Sequence, residues 1–68
     1  MPGAPMPAYL EAHRIKIMTM RMDGYNLDEI AQRLFDDGVR PAGAFEGEDV
    51  YAQVRRLVVH VRHILRTR

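Results

Sequence analysis

The 68-residue sequence predicts an all-α fold, three helices behind an extended N-terminal arm. Three observations carry this. Asn26 to Gly38 is bounded by a helix-starting pattern at one end and a helix-stopping glycine at the other. Val50, Val54, Leu57, Val61 and Ile64 recur at steps of four, three, four and three, the helical period. Pro2, Pro5 and Pro7 crowd the first seven positions, where they remove donors and disfavour helix before each ring.

The arm therefore spans residues 1–7 and a single helical domain spans residues 8–68. The first helix is expected over about residues 8–22. Leu10, Ile17 and Met18 share one side, Ile15, Met18 and Met22 form a second stripe, and His13, Ile17 and Met20 a third. So broad an apolar arc fits a helix packed against two neighbours, or against one neighbour and a second subunit. Gly24 supplies the stop. The second helix is expected over about residues 27–37. Asn26 caps it and Glu29 completes a capping-box pattern, with Asp28 also in the first turn. Leu27, Ile30, Ala31 and Leu34 make its apolar face, and Gly38 with Val39 closes it. Pro41, Gly43 and Gly47 keep the next stretch irregular, and Phe45 is expected to pin it to the core. The third helix is expected over about residues 49–66.

A chain of this size buries only about 60% of its unfolded surface. Small domains usually add disulfides, a metal or a partner subunit. There is no cysteine, and three histidines are poorly spaced for a metal. Helix packing and oligomerisation remain, and a homodimer is expected. Nothing approaches 18 consecutive apolar residues, so no membrane span is expected. No signal-peptide pattern opens the chain, and a cytoplasmic location is the default. No nucleophile has an evident base partner, so the sequence reads as a non-enzyme with no cofactor and no small-molecule substrate.

The net charge of +1 hides a split. Residues 23–49 hold eight acids against Arg33 and Arg40, a balance of −6. Residues 50–68 hold five arginines and no acid, a balance of +5. That polarity can steer the third helix toward an anion; the simpler reading is that acids near helix starts and arginines near a chain end favour the helix dipoles.

Gly24-Tyr25-Asn26-Leu27-Asp28-Glu29-Ile30-Ala31 with Leu34 and Gly38-Val39, followed by Val61-Arg62-His63-Ile64-Leu65-Arg66, resembles the helix-turn-helix of serine recombinases and resolvases. That family pattern reads roughly G-x-S-x-x-E-I-A-x-x-L-x-x-x-G-V, then a helix ending T-V-R-R-I-L. The match covers residues 24–39 and 61–66. Asn26 stands where the pattern has serine. The resemblance implies a small unit that binds double-stranded DNA with its last helix in the major groove. The recombinases' catalytic domain has no counterpart in these residues, so recombination is not implied.

Bottom-up, duplex binding needs cations for phosphates and forked donors for base edges. Arg55, Arg62 and Arg66 lie on one side of the third helix, roughly 10 and 6 Å apart along its axis. With Arg56, Tyr51 and Gln53 they are the candidate DNA contacts. The expected function is a small DNA-binding regulator or accessory factor of transcription or of a mobile element. The alternative is a helical protein–protein interaction module without nucleic-acid binding. Ile17, Met20, Val54, Leu57, Val58, Val61 and Leu65 are the candidate interaction residues, the last five along a third-helix seam.

Overall fold

The computed structural model describes residues 8–66, so the expected arm and the last two residues lie outside it. Helices are the only regular elements among the described residues. A 3-10 helix, Ala8–His13, leads into α1, Arg14–Met22; α2 spans Leu27–Asp36 and α3 spans Val50–Arg66.

The first helix thus begins as a tighter 3-10 segment. Short 3-10 stretches are common at α-helix starts, and this one lets Leu10 bury fully while Tyr9 packs edge-on against His60 of α3.

Both glycine stops act as read, and in the same way. Gly24 and Gly38 have positive φ, 99° and 95°. Gly24 N–H bonds Arg21 O and Tyr25 N–H bonds Met20 O, each at 3.1 Å. Gly38 N–H bonds Phe35 O at 3.0 Å and Val39 N–H bonds Leu34 O at 2.9 Å. These paired bonds are the Schellman arrangement, which satisfies the last free carbonyls of a helix. At the start of α2 the capping box is complete. Asn26 Oδ1 accepts from Glu29 N–H, and Glu29 Oε1 accepts from Asn26 N–H, both at 2.9 Å. Asp49 caps α3 by accepting from Ala52 N–H at 3.0 Å.

Leu10, Ile17, Ile30, Ala31, Leu34, Leu57, Val58, Val61 and Ile64 form one core shared by all four segments. The regular stripe of α3 is spent here, mostly against α2. Its first member is the exception. Val50 is exposed, on the rim of a shallow groove between α2 and α3. Arg14 ties α1 to the far end of α3. It donates to Ile64 O at 3.2 Å while its other nitrogens grip Glu11 at 3.0 and 2.8 Å. That grip holds the Glu11 carboxyl below its usual range and raises Arg14.

The 37–49 connection corrects one expectation. Phe45 is 67% exposed and does not pin the loop; Pro41 is the buried loop residue. Polar bonds fasten the segment instead. Phe45 N–H donates to the Glu48 side chain at 3.3 Å and Phe45 O accepts from Glu48 N–H at 3.0 Å. Arg56 of α3 reaches back to Ala42 O at 3.2 Å and pairs with Glu48. With both its backbone groups turned toward Glu48, Phe45 projects its ring to solvent.

Candidate nucleic-acid interface

α3 divides cleanly by side. One side carries the core residues. On the opposite side Tyr51, Arg55, Arg62 and Arg66 fall within an arc of about 60°, and all four are exposed. Val59 lies beside them and is also exposed. α3 contains no acid. Among the described residues no ion pair engages Arg55, Arg62 or Arg66.

Two of the six candidate contacts belong elsewhere. Gln53 is only 8% exposed, and its amide donates to Glu48 O at 3.0 Å. It closes the turn before α3 and does not face outward. Arg56 points to the loop, where Ala42 O and Glu48 occupy its guanidinium. The sequence placed both on the helix without showing that the loop folds back onto that flank.

The interaction residues are corrected similarly. Ile17, Leu57, Val58 and Val61 are buried in the chain's own core, and Met20, Val54 and Leu65 pack against it half-buried. The third-helix seam is therefore internal. What lies open instead is Ile15, Met18 and Met22 on α1, a stripe legible in the sequence as one part of a wider arc.

The acids of residues 23–49 are largely occupied. Glu29 and Asp49 cap helices. Asp36 accepts from Gln32 at 3.0 Å. Glu48 holds Arg56, and Asp37 holds Lys16, which keeps the Asp37 carboxyl below its usual range. Asp28 is the acid near the arginine face. It shares a shallow, mostly apolar groove with Gln32, Val50, Tyr51, Val54 and Arg55.

The other flank of α3 carries a half-buried polar junction. The Tyr9 hydroxyl and His60 Nδ1 share a hydrogen bond. Burial raises the Tyr9 phenol, against a backbone hydrogen bond from Ala42 and the charge of Arg56. Burial also lowers His60, helped by the positive charges of Arg56 and His63. Among the described residues no group of three metal-ligating side chains converges.

No known family model, no curated protein and no solved structure matches the chain.

Proposed function

We propose that the chain binds double-stranded DNA through the outward face of α3, as a small regulator or accessory factor with a helix-turn-helix-like use of α2 and α3. The observation that carries this is a set of three arginines on one face of α3, a helix with no acid of its own, none of them in an ion pair among the described residues, with Tyr51 at the N-terminal end of that face. A guanidinium not held in an ion pair is the group a phosphate or a guanine edge engages. Two of the eight acids of residues 23–49, Asp37 and Glu48, are ion-paired with Lys16 and Arg56, which lowers the field opposing a polyanion. The connection between α2 and α3 is longer than the tight turn of the simplest such motifs, so the resemblance supports the placement of α3 more than the shape of the turn.

Fluorescence anisotropy of a labelled duplex at several salt concentrations tests this. Three phosphate contacts per chain give a log–log salt slope of about −3, and Arg55→Ala with Arg62→Ala reduces it by about 2. Absence of binding at low salt, or binding untouched by the double substitution, overturns the reading.

A further inference from the structure

We propose that the 3-10 segment Ala8–His13 is a pH-sensitive strap, latched onto α3 by the Tyr9–His60 pair and released when His60 is protonated. Three elements meet at this pair. Tyr9 comes from the strap, His60 from α3 and Ala42 from the 37–49 connection. The Tyr9 ring stands edge-on to the imidazole, with centroids 5.5 Å apart and planes at 73°. Its hydroxyl shares the hydrogen bond with Nδ1.

The bonding at the hydroxyl sets the sign of the response. The Tyr9 oxygen takes a backbone hydrogen bond from Ala42, so its O–H is what remains for His60. That pairing needs a lone pair on Nδ1, which a protonated imidazole lacks. Protonation therefore deprives the O–H of its acceptor. The new charge also meets like charge. Arg56 and His63 bear on His60 from its own helix, and Arg14 of α1 sits on the Ile64 carbonyl one turn along. Glu48, which the connection brings to this flank, is held by Arg56, and the strap's own acid, Glu11, by Arg14. Burial and the charges of Arg56 and His63 accordingly keep His60 below its ordinary value. The strap also has a hinge. Its winding changes from 3-10 to α at His13–Arg14, where His13 supplies no side-chain cap. Beyond that point Arg14 keeps α1 fastened to α3. At neutral pH the strap is shut by buried Leu10 together with the Tyr9 latch.

Native-state amide exchange followed by NMR, at low urea and several pH values, tests this without nucleic acid and so stands apart from the DNA reading. In the wild-type chain the Ala12 and His13 amides exchange through an opening that urea barely promotes, because little surface is uncovered. The population of that opening rises by up to about tenfold per pH unit as pH falls below about 6.5. The Ile30 and Leu34 amides of α2 instead follow the full urea dependence of global unfolding. In His60→Gln the strap's opening no longer depends on pH. Tyr9→Phe, which keeps the ring and removes the hydroxyl, raises the opening several-fold at neutral pH. Ala12 and His13 amides that share the urea dependence of Ile30 overturn the proposal. So does a pH dependence of the strap that survives His60→Gln, or an opening untouched by Tyr9→Phe.

Discussion

Replacing Arg56 by alanine separates holding the loop from meeting an anion. The Arg56 side chain is 37% exposed and that of Glu48 only 10%, so the substitution strands a nearly buried carboxylate. It also removes the side-chain donor that Arg56 supplies to Ala42 O. Exposed ion pairs contribute up to about 1 kcal/mol, while breaking a buried one costs about 3–5. An intermediate pair with one extra hydrogen bond gives a loss of about 2 kcal/mol. In a domain of this size that lowers the melting temperature by roughly 8–16 °C. Urea titrations of the wild type, Arg56→Ala, Glu48→Ala and the double variant measure it. The cycle should show a coupling of at least about 1 kcal/mol. Arg55→Ala, which removes no internal bond, should change stability by less than about 0.5 kcal/mol. In the DNA titration the order reverses. Arg55→Ala weakens binding, and Arg56→Ala leaves the salt slope unchanged among folded molecules. Additive stabilities in the cycle, or equal losses of DNA affinity from the two arginines, would refute the reasoning.

Three other perturbations probe separate links. Gly38→Ala meets open space but forces a side chain into left-handed backbone, so a loss of roughly 1–2 kcal/mol is expected in thermal melts. Phe45→Ser should shift the urea midpoint negligibly, against a loss of about 2–5 kcal/mol for Leu34→Ala; comparable losses would return Phe45 to the core. Because His60 is held below its ordinary value, the unfolded chain takes up that proton first. Its stabilising share is complete above about pH 6.5 and is lost as pH falls through that value toward the folded pKa. Urea midpoints from neutral to mildly acidic pH should therefore fall less steeply in His60→Phe; an identical slope would discredit the assignment.

What was legible in the sequence is what neighbours in the chain decide. The capping box at Asn26, the Gly24 and Gly38 terminations and the α3 stripe all act within a few residues of themselves. The errors share a different cause. Gln53, Arg56 and Phe45 were misplaced because each depends on how the 37–49 connection folds against α3. That path is set by bonds from Glu48 and Ala42 that no local pattern encodes. The 3-10 start of the first helix likewise answers to His60, fifty-one residues away. Of the proposed DNA face, Tyr51, Arg55, Arg62 and Arg66 kept their outward positions because helical periodicity alone aligns them. The α1 stripe was visible but not distinguishable from core, since periodicity says which residues share a side and not which side is covered.

Five of the buried residues named above, Gln53, Leu57, Val58, Val61 and Ile64, come from α3, more than from any other element. The opening 3-10 turn also leans on α3 through His60, and Arg14 closes on the Ile64 carbonyl. During synthesis the first half of the chain accordingly lacks the element on which most of its core closes. Leu10, Ile17 and Ile30 must wait in water until Ile64 has left the ribosome. Assembly thus waits for α3 and is nearly all-or-none, and removing the last few turns of α3 should leave an unfolded polypeptide rather than a smaller domain.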